Sequence, residues 1–199
     1  MKNTEEQMQK LIDSAYLYSE SNQVFSELFC WKKICTLNNK EYYKFRLADS
    51  FRLCGFLSES EKVYQTIKVN NLPKSALPLY YSYLGKLYED TNRIDEALNC
   101  YTKALNLNNK YTIYYVYTAI ILKQKEKDLE AIKLLKKALK KEGDIDEVNY
   151  NLSTSYVRIG KYKEALNCIN LCLEIDKNYP NADIIKADIE EILRIKGSH

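Results

Sequence analysis

The stretch Tyr111 to Ile120, YTIYYVYTAI, is almost wholly aromatic or β-branched, the composition of a buried strand. Local propensity over so short a run does not separate strand from helix, because tertiary packing overrides it. The wider pattern does. RIDEALNCYTKAL, KDLEAIKLLKKAL and KYKEALNCINLCL superpose without a gap, with leading alanines at Ala97, Ala131 and Ala165, 34 residues apart each time. Upstream, Tyr81, Leu84, Gly85 and Tyr88 recur as Tyr115, Thr118, Ala119 and Leu122, and again as Asn149, Leu152, Ser153 and Tyr156. Positions stepped in this way fall on one helical stripe. A second stripe follows: Ala97, Tyr101, Ala104, then Ala131, Leu135, Ala138, then Ala165, Ile169, Cys172. Each unit is therefore predicted to be two helices joined by a short turn. The opening stretch becomes the first helix of unit 112–145, with the small residues Gly85, Ala119 and Ser153 admitting a close neighbour.

Toward the N-terminus the pattern loosens. YYKFRLADSFRLCGFLSESEKVYQTIK carries Leu47, Ala48 and Phe51 before a turn at Gly55, then Ser60, Tyr64 and Ile67. LIDSAYLYSESNQVFSELFCWKKICTLN places Ala15 and Tyr18 before a turn at Asn22, then Trp31 and Ile34. A terminal unit departs from the pattern because one of its faces has no neighbour. YPNADIIKADIEEILRIK predicts a lone amphipathic capping helix, with Pro180 near its first turn and Ile184, Ile185, Ile189, Ile192 and Leu193 as its apolar stripe. The organisation expected is one domain over 1–196, with units 7–40, 41–74, 78–111, 112–145 and 146–179 and a cap over 180–196. The final Gly197, Ser198 and His199 resemble a tag remnant.

A 34-residue helix-turn-helix unit of pattern W-x2-L-G-x2-Y, A-x3-F, P is the tetratricopeptide repeat. This chain resembles that family: Tyr81 stands where the pattern has Trp, Leu84, Gly85, Tyr88 and Ala97 match outright, and Tyr101 replaces Phe. Asn109, Gly143 and Lys177 stand where the closing proline would be, so the hinge between units is expected to be set less rigidly than in the family. The resemblance implies an all-α fold, a right-handed superhelix or α-α solenoid of helix-turn-helix units, with the first helices lining a concave side.

Composition narrows the function. Hydrophobic residues make up 46% and charged residues 29% of the 199, an ordinary globular balance, and the net charge of +3 gives no broad reason to expect nucleic acid. No apolar run approaches a membrane span and no secretory h-region opens the chain, so a cytoplasmic location is expected, or a nuclear one in a eukaryote. The 6 cysteines, Cys30, Cys35, Cys54, Cys100, Cys168 and Cys172, form no CxxC pair and read as reduced core thiols. Gly55, Gly85, Gly143 and Gly160 fall at turns or helix contacts, which leaves no glycine cluster for a phosphate loop. The single His is in the terminal triplet, so His-based catalysis is not expected, and neither is a metal site or a cofactor. The run Lys133 to Lys141, KLLKKALKK, reads as a solvated face rather than a phosphate strip, with Glu126, Asp128, Glu130 and Glu142 as balancing acids.

The candidate site is the groove stripe, taken as positions 2, 5, 9 and 12 of each unit. It comprises Tyr42, Phe45, Asp49 and Arg52; Leu79, Ser82, Lys86 and Glu89; Ile113, Val116, Ile120 and Lys123; Glu147, Tyr150, Thr154 and Val157. Of these, Tyr42, Phe45, Asp49, Arg52, Ser82, Lys86, Glu89, Val116, Ile120, Lys123, Tyr150 and Thr154 are the expected partner-binding residues. Family members that clamp a terminal carboxylate use Lys and Asn at positions 5 and 9; here Val116 and Ile120, then Tyr150 and Thr154, replace that pair. An apolar helix or extended peptide is the expected ligand. The function expected is a non-enzymatic adaptor or scaffold subunit with a protein or peptide partner. Two alternatives stand beside it: self-association into a homo-oligomer, and, less favoured by the balanced groove charges, an RNA-binding helical repeat.

Overall fold

In the computed structural model, which describes residues 2–197, the described residues form eleven α-helices and two short 3-10 turns. The chain divides into two compact bodies, one ending at Cys100 and the other beginning at Tyr101. The first holds α1 (Lys2–Glu20), α2 (Val24–Leu37), α3 (Glu41–Leu53), α4 (Leu57–Gln65), α5 (Leu77–Asp90) and the opening of α6 (Ile94–Leu107). Within it α1 packs on α2, α2 on α3, α3 on α4, and α5 on both α3 and α4. The second continues from α6 through α7 (Thr112–Gln124), α8 (Asp128–Ala138), α9 (Ile145–Arg158), α10 (Tyr162–Ile175) and α11 (Ala182–Gly197). There each helix from α7 onward packs on the next, and α7 also packs on α9.

The packing follows the repeat register. Ala97, Ala131 and Ala165 have no exposed surface, and neither do Ala104, Ala138 and Cys172 on the same stripes. Small residues bring helices close enough for a side chain to bond a neighbouring backbone: Ser60 Oγ donates to the Ala48 carbonyl at 2.7 Å, and Ser153 Oγ to the Ala165 carbonyl at 2.9 Å. In the first body Ala15, Cys30, Trp31 and Ile34 make one core, and Phe45, Ala48, Tyr64, Tyr80 and Leu87 another.

Every hairpin turns in the same way. Asn22, Gly55, Asn92, Glu126 and Gly160 each have a positive φ between 55° and 81°. The following residue sends its N–H back to the carbonyl five positions earlier: Gln23 to Tyr18, Phe56 to Phe51, Arg93 to Tyr88, Lys127 to Leu122 and Lys161 to Tyr156, at 2.7 to 2.9 Å. This closes the last helical turn with a left-handed residue, where Gly and Asn are favoured and Glu126 is the exception. From Gly55 to Asn92 the spacing is 37 residues rather than 34. The extra length lies after α4, where the 3-10 turns Val69–Asn71 and Lys74–Ala76 tuck Leu72 and Ala76 into the core.

Several expectations change. Helix α7 starts at Thr112, so Tyr111 is not helical: it is extended and forms a parallel bridge with Glu142. Thr112 N–H donates to the Glu142 carbonyl at 2.8 Å and Glu142 N–H to the Lys110 carbonyl at 3.1 Å. The joint that lacks proline at Gly143 thus carries backbone bonds between its two segments. Ile67 is buried but lies beyond the end of α4. In α11, Ile189 is buried while Ile184 is 57% exposed, so Ile184 does not belong to the packed stripe. Gly197, set aside with the terminal triplet, is the last residue of α11; Ser198 and His199 lie outside the described residues.

Candidate partner-binding faces

In the first body the groove stripe lies on α3 and α5. The Phe45 ring meets the edges of Tyr42 (5.1 Å) and Tyr80 (5.9 Å), is tilted against Tyr83 (6.1 Å), and is fully buried. Asp49 is buried beneath Arg52, whose Nε donates to Asp49 Oδ1 at 2.8 Å and whose Nη1 reaches Asp90 Oδ2 at 2.9 Å. Ser82 is buried with its hydroxyl on the Pro78 carbonyl. Phe45, Asp49 and Ser82 therefore do not line an open surface. Tyr42, Arg52, Lys86 and Glu89 remain partly accessible. Burial, helped by a 3.1 Å contact with the Tyr16 hydroxyl, pushes the Tyr42 phenol up to about 12. The Lys86 ammonium lies 5.7 Å over the Tyr83 ring.

Beside this stripe is a network that the stripe did not include. Arg46, buried in mid-helix, has its guanidinium 5.1 to 5.4 Å from the rings of Trp31, Tyr16 and Tyr83. Its Nη1 donates to the Tyr83 hydroxyl, and Nη2 stands 3.8 Å from the buried carboxylate of Glu27. That carboxylate also accepts the Trp31 indole N–H at 3.0 Å. The sequence signal was an arginine between Phe45 and Leu47 in a chain with a single Trp.

In the second body Val116 is also fully buried, and Ile120 is half-buried. Lys123 crosses from α7 to α9, where Nζ donates to Asn151 Oδ1 at 2.7 Å and Thr154 Oγ1 at 3.0 Å. Burial lowers this amine from 10.5 to about 8; the charge of Arg158 acts in the same direction, and Asp128 opposes it. Arg158 Nε is paired with Asp128 Oδ1 at 2.7 Å and Nη2 donates to the Lys123 carbonyl. Tyr150 stacks obliquely on Tyr179 at 4.9 Å.

Thr154 opens onto a cleft of about 250 Å³ between α9 and α11. Val157, Ile185, Ile189 and Ile192 give it apolar walls, and Arg158 and Asp188 supply its charges. Thr154 and Val157 belong to the groove stripe, whereas in the sequence the isoleucines mark only the contact side of a cap. Their spacing along α11 was visible in the sequence, but the gap that they leave against α9 was not.

The exposed lysines Lys133, Lys136, Lys137 and Lys140 lie on or just after α8, as a solvated face requires. No described helix is long and apolar enough to cross a membrane. Among the described residues no group of three or more His, Cys, Asp or Glu is placed to hold a metal ion.

Models of the tetratricopeptide repeat match residues 78–111 and 146–179. A TPR repeat-containing protein of Methanocaldococcus jannaschii is 28% identical over 109 residues, 54% of this chain and 33% of that relative, so the chain spans about a third of its length. Among solved structures, the thermophilic TPR protein TTC0263 of Thermus thermophilus superposes with a TM-score of 0.70 at 19% identity, covering 92% of this chain and 98% of that one. The first TPR of Spaghetti (RPAP3), bound to an HSP90 peptide, superposes at 0.57 with 20% identity, covering 60% and 95%.

Proposed function

Because the chain belongs to the tetratricopeptide repeat family, we propose that it is a non-enzymatic protein-binding subunit that receives an apolar side chain of a partner peptide or helix in the cleft between α9 and α11. The cleft carries the reading. At about 250 Å³ it is smaller than the hollows that hold whole small molecules, and its apolar walls with a charged edge suit one large aliphatic or aromatic residue held in a longer contact. Tyr150 and Ile120, both half-buried, extend the partner-facing surface in the second body. Tyr42, Arg52, Lys86 and Glu89 are the corresponding accessible positions in the first. The structural relative solved with an HSP90 peptide supports peptide binding as the mode, without naming a partner here. The free thiols fit a reducing cytoplasmic location.

A photo-crosslinking residue at Val157, compared with one at Lys137 on the α8 surface, followed by mass spectrometry, identifies what occupies the cleft. With the partner in hand, Val157→Asp and Ile192→Asp are expected to weaken binding by more than about 1 kcal/mol while Lys137→Glu with Lys141→Glu leaves it unchanged. Loss of binding in the lysine pair with retention in the cleft pair overturns this reading in favour of a basic docking face. Sedimentation of the purified chain separates a monomeric adaptor from the self-associating alternative.

A further inference from the structure

Helix α2 is apolar on two sides. One side packs inward through Leu28, Trp31 and Ile34, all buried. The other carries Phe25 and Phe29, one helical turn apart and 66% and 56% exposed. A helix with apolar residues on both sides normally lies inside a core. This one does not, and the outward rings are not isolated. Phe25 meets Phe56 edge-on at 6.4 Å, and Phe56, 43% exposed in the turn before α4, meets Phe51 at 6.4 Å. Four of the 5 phenylalanines in the chain thus gather at one place on the first body, while the fifth, Phe45, is fully buried. Scattered exposed apolar residues need no explanation, but a contiguous aromatic patch marks a contact site.

The charges at the patch select its occupant. Lys32 Nζ lies 4.8 Å over the Phe51 ring and Lys33 Nζ 4.6 Å over Phe29. Each ring holds an ammonium at its face by cation–π attraction, while both lysine residues stay exposed, so that N–H donors remain open to an incoming acceptor. A carboxylate arriving there would complete a charge-assisted pair as its neighbouring apolar side chains cover the rings.

We infer that Phe25, Phe29, Phe51 and Phe56 form a second docking surface that receives a partner segment bearing alternating apolar and acidic side chains, oriented by Lys32 and Lys33.

The test uses the full chain as bait for a phage-displayed library of short random peptides. The expected outcome is a class of peptides enriched in large apolar residues together with Asp or Glu. These should bind Phe25→Ser/Phe29→Ser and Lys32→Glu/Lys33→Glu at least about tenfold more weakly, bind Val157→Asp unchanged, and weaken as salt is raised. All these positions are exposed or line an open cleft, and a thermal melt by circular dichroism checks each variant. The inference is overturned if no selected peptide depends on Phe25 and Phe29, or if those that do show no excess of acidic residues. It is also overturned if phosphatidylcholine vesicles containing phosphatidylserine bind the chain through the same phenylalanines, or if sedimentation shows a dimer that Phe25→Ser/Phe29→Ser abolishes, which would make a second copy the occupant.

Discussion

Gly143 lies so close to Thr112 that a β-carbon at position 143 would overlap the Thr112 Oγ1, and its φ of +123° is a conformation that L side chains rarely adopt. Thr112 opens α7 and Gly143 follows α8, and the two meet where the Tyr111–Glu142 bridge ties the segments at the open end of that helix pair. Gly143→Ala is therefore expected to lower unfolding stability by about 2 to 4 kcal/mol, from backbone strain and overpacking together. Chemical denaturation reads this directly, and Thr112→Ala in the same background should recover the steric part.

The five left-handed turn positions predict opposite effects at two sites. Glu126, at φ 59°, is a side chain where Gly is favoured, so Glu126→Gly should raise stability by up to about 1 kcal/mol. Gly160→Ala, at φ 73° with open space around it, should lower stability by about 1 to 2 kcal/mol through backbone strain alone. Thermal midpoints moving the other way would contradict the turn geometry.

Arg46 and Glu27 form a buried pair enclosed by aromatic rings. Arg46→Met removes the cation and leaves the carboxylate buried, which should cost about 3 to 5 kcal/mol. Adding Glu27→Gln removes the stranded charge and keeps an acceptor for the Trp31 indole, so the double variant should regain most of the loss. A double variant no better than the single would show that packing of the guanidinium, not charge, is what matters.

Lys123 links stability to alkaline pH. Its amine sits at about 8 in the fold against 10.5 ordinarily, so between those values the unfolded chain binds more protons than the folded one. Stability carried by this group therefore rises with pH across that window, and below it the buried charge is a penalty of about 3 kcal/mol. Lys123→Met should remove this rise. Comparing urea midpoints of the two proteins at pH 7.5 and pH 9.5 isolates the effect from other titrating groups, and parallel shifts in both would contradict it.

All six cysteines are free thiols. Burial pushes Cys35 and Cys172 up to about 11 and raises Cys30, Cys54 and Cys168, so thiolate is scarce at neutral pH. Native alkylation should be slow and should become complete on unfolding; rapid native labelling of Cys168 or Cys172 would point to a reactive thiol.

The alanine register carried helices α5 to α10 correctly, because a residue repeated at a helix contact leaves a mark in the sequence whatever its neighbours do. The groove was legible only in part. Phe45, Ser82 and Val116 share position 5 of their units, and all three are buried. The stripe assigned them to solvent from the phase of one helix. How far the adjacent first helix covers that phase depends on the tilt between helices, which the pattern does not encode. Arg46 was missed for a related reason: a charged residue on a helix reads as exposed until its ring partners, drawn from α1, α2 and α5, are in place. The α9–α11 cleft exists only as a gap between two elements, so no single stretch could announce it.

Connecting segments between helices ordinarily exchange their amide hydrogens with solvent almost freely. At Thr112 and Glu142 both amides are instead bound to backbone carbonyls of the facing segment. Protection should therefore continue through the joint rather than stop at the helix ends, and in deuterium labelling the start of α7 and the segment after α8 should open together. In the time domain the α7–α8 pair should then behave as one cooperative element, closed at both ends. Because α7 packs on α9, a partner clamped in the α9–α11 cleft should be sensed, as slowed exchange, as far away as Thr112.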